Sequence, residues 1–72
     1  MYKQGTIDGY SYCAKVYDEP SRMGINRGRV SKLDIYKETK GKRTFIASYD
    51  RGWGIKPSDM NIVNQVLKIV AA

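Results

Sequence analysis

The chain has 72 residues, enough for one small domain, and it carries 13 lysines and arginines against 7 acidic residues, a net charge of +6. Histidine is absent and Cys13 is the only cysteine, which excludes His-based catalysis, a disulfide and a tetrahedral zinc site. We therefore predict no enzyme, no catalytic residue, no cofactor and no metal. The positive charge favours an anionic partner, although charge of this size also serves solubility alone.

Two strands are predicted at the start of the chain, over residues 2–7 and 10–17. An Asp-Gly dipeptide lies between these β-prone runs, and it favours the positive φ angles of a two-residue hairpin turn. Such a turn sets Ile7 opposite Tyr10. The core side of the hairpin is then expected to carry Ile7, Tyr10, Tyr12, Ala14 and Val16.

A long loop follows over residues 18–29, with one proline, two glycines and three arginines. Loops of this length inside a small domain are uncommon and are often functional. The two glycines shape the loop without burying much of it. We therefore expect Arg27 and Arg29 to face a ligand.

Two more strands are predicted over residues 30–37 and 43–49, joined by a turn that contains Gly41. Their inner face is expected to hold Leu33, Ile35, Phe45, Ala47 and Tyr49. Ile46 points to the other face, so the alternation of the fourth strand is imperfect.

The last predicted element is a helix over residues 58–71. Ser58 has the chemistry of an N-cap, and Asp59 in the first turn favours the helix dipole. Apolar residues recur at helical spacing: Met60, Val63, Val66, Leu67 and Val70. We expect a single α+β domain over residues 1–72, a four-stranded antiparallel meander (β-β-β-β-α) with one C-terminal helix packed on one face.

Basic side chains interleaved with aromatic ones are the candidates for binding, because arginine suits phosphate oxygens and aromatic rings stack on bases. The predicted ligand-binding residues are Arg22, Arg27, Arg29, Lys32, Arg51 and Trp53. In the alternative interpretation, Trp53 and Tyr49 close one end of the core and the arginines form a solvated rim. Asp50 and Arg51 also have a structural alternative, in which they pair with groups of the long loop and hold it down.

Three segments span most of the chain: GTIDGY (residues 5–10) with AKVYDE (14–19), GINRGRVSKL (24–33) and ASYDRGW (47–53). In these segments the sequence resembles a family of small uncharacterised proteins encoded by phages and prophages of Gram-positive bacteria. The resemblance implies no activity and no site residue. It implies a context in which short mobile-element genes encode proteins that block or sequester host components, and so a role in counter-defence.

Three functions stay open, and we favour the first, binding of an anionic ligand such as a nucleic acid or a nucleotide signal. The second is a protein-binding inhibitor of a host effector, such as a CRISPR or other immune protein, docked by strand addition. The third is a small virion or assembly component. We expect a cytoplasmic protein of the bacterial host, because no segment approaches the roughly 20 apolar residues of a membrane span and no signal peptide is recognisable. A homo-oligomer is one way to stabilise so small a core.

Overall fold

Five antiparallel strands form one sheet in the computed structural model, which describes residues 1–71. The strands, neighbours in chain order, are β1 (Tyr2–Ile7), β2 (Tyr10–Val16), β3 (Val30–Thr39), β4 (Lys42–Asp50) and β5 (Trp53–Ile55). The single α-helix is α1 (Asn61–Val70), and a short 3-10 turn (Ile25–Arg27) lies in the long loop. The predicted α+β class and C-terminal helix are confirmed, whereas the predicted count of four strands is wrong.

The first hairpin forms as the sequence predicts. Asp8 and Gly9 have φ angles of 50° and 81°, the left-handed pair that a two-residue turn requires. Ile7 pairs with Tyr10, which confirms the predicted register. The five predicted core-side residues are buried or packed against the core: Ile7, Tyr10, Tyr12, Ala14 and Val16.

A β-bulge in β4 overturns one prediction about the inner face. Ile35 pairs with Ala47 but the next residue, Tyr36, pairs with Phe45, so Ile46 is an extra residue in β4. An extra residue shifts the alternation by one position. Ala47 is therefore fully buried, whereas Phe45 lies on the opposite face and is 39% exposed. The prediction that both share the inner face is wrong, and so is the prediction that Ile46 points away from it, because Ile46 packs against the core.

The fifth strand follows a tight turn at the end of β4. The backbone N–H of Asp50 donates to the carbonyl of Gly52 at 2.9 Å, and Trp53 then pairs with Tyr49. The two rings meet edge to face, with 5.0 Å between their centroids. Tyr49 is buried and Trp53 packs against the core, which favours the core interpretation of both residues.

Helix α1 begins at Asn61, three residues later than predicted. The N-cap position is Met60, without a side-chain cap, and a carboxylate oxygen of Asp59 accepts the backbone N–H of Asn61 at 2.9 Å. Asp59 thereby stabilises a turn just ahead of the helix, so Ser58 is not the N-cap. The helix buries three valines against the sheet: Val63, Val66 and Val70.

The long loop is folded back on itself and closes one end of the core. The backbone N–H of Ser21 donates to the carbonyl of Gly28 at 3.0 Å, and that of Gly28 donates to the carbonyl of Ile25 at 2.9 Å. Ile25 is buried among the core residues, and the Tyr49 hydroxyl donates to the carbonyl of Met23 at 2.8 Å. The loop is therefore part of the packed structure.

The core lies between α1, the long loop and one face of the sheet. Its residues without exposed surface are Leu33, Ile35, Ala47, Val63 and Val66. Within residues 1–71, the opposite face of the sheet carries polar, charged and partly exposed aromatic side chains and none of the buried apolar ones. We call it the open face. No helix in the described chain has the length and apolar character that a membrane span requires.

Candidate functional site

A row of charged and aromatic residues crosses the open face. In the register of the sheet, Tyr2 lies opposite Lys15 and Lys15 lies opposite Lys32. Lys32 in turn lies opposite Asp50. Directly opposed residues in an antiparallel sheet point to the same face. Four strands therefore place these four side chains side by side.

A depression of about 260 Å³ lies over this row, and we call it the cationic pocket. Its lining residues are Tyr2, Lys15, Tyr17, Ser31, Lys32, Asp50 and Arg51. Three of these side chains are cationic and one is acidic. The local charge is therefore positive.

Lys15 lies between the two tyrosine rings of the pocket. Its Nζ is 5.7 Å from the ring centroid of Tyr2 and 5.3 Å from that of Tyr17, both within reach of cation–π attraction. The interaction with Tyr17 is the main cause that raises the pKa of Lys15. The same interaction, followed by one with Ser31, lowers the pKa of Tyr17. Lys15 therefore stays charged at neutral pH and helps to orient both rings.

Arg51 reaches the pocket from the turn between β4 and β5. Its φ angle of 56° is in the left-handed region, and its backbone N–H donates to the carbonyl of Ser31 at 3.0 Å. The turn is thus anchored to β3. The Arg51 Nε lies 3.8 Å from a carboxylate oxygen of Asp50, but both side chains are mostly exposed, so this ion pair is weak. The guanidinium remains accessible to an anion.

A second groove, of about 510 Å³, continues from the cationic pocket past Tyr17. It shares Tyr17, Ser31 and Arg51 with the pocket and extends to Met23. Asp18 and Glu19 line this extension and make it acidic. An anionic group is therefore favoured in the cationic pocket and disfavoured beyond Tyr17.

Two of the six predicted ligand-binding residues, Lys32 and Arg51, line the cationic pocket. Arg29 lies elsewhere, because its guanidinium donates to the carbonyl of Ala71 at the end of α1. Lys3 donates to the neighbouring carbonyl of Val70 at 2.7 Å. Both cations thus satisfy carbonyls at the helix C-terminus, where positive charge is favourable.

The other three predicted residues are apart from the pocket. Arg22 and Arg27 are exposed on the long loop, and neither makes an ion pair within residues 1–71. Trp53 pairs with Tyr49 on the core side of the sheet, which is the opposite face from the pocket.

Five lining residues of the pocket are outside the six predicted ligand-binding residues: Tyr2, Lys15, Tyr17, Ser31 and Asp50. The hairpin register contains the signal for the first two, since it puts Lys15 on the outer face directly opposite Tyr2. Tyr17 comes two residues after Lys15 and follows the same alternation.

Comparison with known proteins identifies a family and no activity. No curated protein and no solved structure matches the chain. The model of a domain of unknown function, DUF7678, matches residues 1–72. An uncharacterised family is also what the sequence resemblance implies. Because the match spans the whole sequence, the chain belongs to the DUF7678 family.

Proposed function

We propose that this domain is a non-enzymatic protein that binds an anionic ligand, a nucleic acid or a nucleotide, in the cationic pocket. The observation that carries the proposal is the meeting of Lys15, Lys32 and Arg51 on an uncovered sheet face, beside two tyrosine rings. Ammonium and guanidinium groups bind phosphate oxygens, and tyrosine rings stack on bases. A ligand that carries both groups fits this combination best.

The size of the pocket limits how much of the ligand it encloses. Pockets that surround a whole small molecule usually measure about 300–1,000 Å³. At about 260 Å³, the cationic pocket is smaller than that range. We therefore assign it the phosphate and part of the attached sugar or base, with the rest of the ligand on the sheet surface.

Fluorescence anisotropy with labelled 12-nucleotide single-stranded DNA and RNA of mixed sequence, and with labelled adenosine monophosphate, tests the proposal. One phosphate neutralised in the pocket predicts a salt slope near −0.7 for the 12-mers, about a threefold loss of affinity between 50 and 200 mM salt. The double variant Lys15→Gln/Lys32→Gln should bind at least about tenfold more weakly and show a shallower slope.

The matched control is Lys56→Gln/Lys68→Gln, which removes the same charge at two exposed positions outside the pocket. It should bind nearly as well as the wild type. Equal loss in both double variants would mean that only net charge matters. Absence of binding by every probe, or binding that ignores salt, would overturn the proposal.

For the biological setting, we propose the cytoplasm of Gram-positive bacteria that carry phages or prophages. The support is the resemblance of the three sequence segments to proteins encoded there. Sequestering a guide RNA or a nucleotide immune signal requires binding and no catalysis, so the cationic pocket is sufficient for a counter-defence role. Expression of the wild-type protein in a host with such a defence should raise phage plaque counts. Expression of the Lys15→Gln/Lys32→Gln variant should leave the counts unchanged. Equal counts with and without the protein would contradict the role.

A second candidate function is docking on a host protein by strand addition, and the position of β1 favours it. β1 is an edge strand that pairs only with β2, through six residues without a bulge. An edge of this kind leaves backbone groups free to pair with another chain. A nuclease-resistant complex with one host protein that survives Lys15→Gln/Lys32→Gln would favour this function over ligand binding.

A further inference from the structure

A second aromatic cluster lies on the open face, further along β3 from the cationic pocket. The ring centroids of Tyr36 and Phe45 are 5.3 Å apart, and the rings are tilted by 47°. The guanidinium carbon of Arg43 lies 4.7 Å from the centroid of Tyr36. We call Tyr36, Phe45 and Arg43 the aromatic platform.

The β-bulge at Ile46 is what brings Phe45 to the platform. If β4 were regular through Ile46, residues two apart would share a face and Phe45 would point toward the core together with Ala47. Bulges often re-aim a side chain next to a functional site. Phe45 is instead 39% exposed beside Tyr36, so core packing does not account for its place.

Arg43 gives the platform a cation that can meet a phosphate. Its Nε lies 3.4 Å from a carboxylate oxygen of Glu38, its partner across the strands. Both side chains are more than half exposed, and exposed pairs of this kind are weak. A phosphate can therefore replace Glu38 while the guanidinium stays stacked on Tyr36.

The distance between the two clusters follows from β3 itself. Lys32 and Tyr36 point to the same face and are four residues apart, about 14 Å along a strand. Nucleotides advance by about 3.4 Å when stacked as in a duplex strand, so this distance takes at most about four steps. Between the clusters, Asp34 accepts a hydrogen bond from the Ser48 hydroxyl at 3.0 Å.

From this arrangement we propose that the open face binds a single-stranded oligonucleotide running along β3, with a phosphate in the cationic pocket and a base on the aromatic platform. The inference rests on the proposed function and narrows its ligand. A mononucleotide reaches only one of the two clusters, whereas a strand of about four nucleotides reaches both.

The test is a length series of labelled single-stranded DNA with 2, 4, 6, 8 and 12 nucleotides, together with labelled adenosine monophosphate. In the wild type, affinity should rise steeply up to about four to six nucleotides and then level off. Phe45→Leu should weaken binding of the 12-mer about tenfold, the effect expected from one lost stacked base. Phe45→Tyr keeps the ring and should bind like the wild type.

The outcomes separate this inference from the proposed function. If adenosine monophosphate binds as tightly as the 12-mer, the inference is overturned and the cationic pocket stands. If Phe45→Leu, Phe45→Tyr and the wild type bind the 12-mer equally, the inference is also overturned. If no probe binds the wild type, the proposed function fails and the inference with it.

A second variant keeps the test valid should Phe45→Leu destabilise the fold. Arg43→Gln alters an exposed side chain and should weaken binding of the 12-mer. The salt dependence of that binding should become shallower by the amount expected for one lost phosphate contact. Arg43→Gln should bind adenosine monophosphate with the same affinity as the wild type. If the wild type shows no detectable binding of this nucleotide, the variant should show none either. An unchanged 12-mer affinity in Arg43→Gln would count against the platform.

Discussion

Replacement of Gly24 by alanine tests whether the long loop is part of the packed structure. An ideal Cβ at this position would overlap the carbonyl oxygen of Gly28 and lie 2.9 Å from its carbonyl carbon. Real Cβ atoms essentially never come within 3.0 Å of another heavy atom, and both obstacles belong to the backbone. The two segments of the loop must therefore separate to admit one methyl group.

The cost of that separation can be worked out from the contacts it disturbs. Gly28 accepts the N–H of Ser21 and donates to the carbonyl of Ile25, and each of these bonds contributes about 1 kcal/mol. Forcing a methyl group into a filled site costs about 1–3 kcal/mol. We expect Gly24→Ala to lose about 3 kcal/mol, most of the roughly 3–5 kcal/mol available to a domain of this size.

Thermal unfolding followed by circular dichroism measures the effect. A loss of about 3 kcal/mol lowers the Tm of a small domain by at least about 12 °C. Gly52→Ala is the matched control, because nothing lies within 4 Å of an ideal Cβ there, and it should stay within about 0.5 kcal/mol of the wild type. If Gly24→Ala has the same Tm as the wild type, the loop does not close on itself as described.

Four more substitutions, one of them a control, test the roles of individual cations. Arg29→Ala should lower the Tm by about 4–8 °C, since its charged hydrogen bond to the end of α1 contributes about 1 kcal/mol, while Arg27→Ala should leave the Tm unchanged; equal effects would contradict the helix contact. Lys15→Gln should raise the pKa of Tyr17, because the interaction with Lys15 lowers it, so an ultraviolet titration should find one tyrosine ionising at lower pH in the wild type than in the variant. Lys32→Gln should weaken oligonucleotide binding without lowering the Tm, because Lys32 makes no ion pair within the described residues; a clear loss of stability would make it a structural residue.

The hairpin was predictable because its determinants are local. A two-residue Asp-Gly turn fixes both the backbone conformation and the register of the flanking strands. The pairing of Ile7 with Tyr10 follows from that turn alone. The buried positions of Leu33 and Ile35 follow in a similar way from the alternation of one strand.

Phe45 and β5 were not predictable from local pattern, because both depend on pairing with another strand. The bulge at Ile46 exists only relative to β3, and a large apolar residue such as Phe45 is assigned to the core by any rule of alternation. β5 has only three residues, one of them Gly54, and its pairing with β4 is irregular. Neither residue type nor spacing marks such a strand.

The candidate site was predictable in part, for a related reason. Lys32 and Arg51 were found as basic residues near aromatic ones, and the sheet does bring them together. Arg29 has the same chemistry in the sequence, but it lies against a helix end 42 residues further along the chain. Its role is set by a contact that only the folded chain contains.

The distribution of charge argues that solubility is not the only reason for the excess of lysine and arginine. Helix α1 contains a single charged residue, Lys68, although Asn61, Asn64 and Gln65 are exposed positions where further charge would serve solubility equally well. Of the other 12 cations, 11 lie on the sheet, its turns and the long loop, and Lys56 lies in the connection between β5 and α1.

Within the sheet, Lys15 and Lys32 lie directly opposite one another, and the repulsion between these like charges is offset in part by Asp50, opposite Lys32. The two lysines concentrate positive charge at one place on the open face. A phosphate bound between them would remove the repulsion, so the ligand should raise the Tm of the wild type and have little effect on Lys32→Gln.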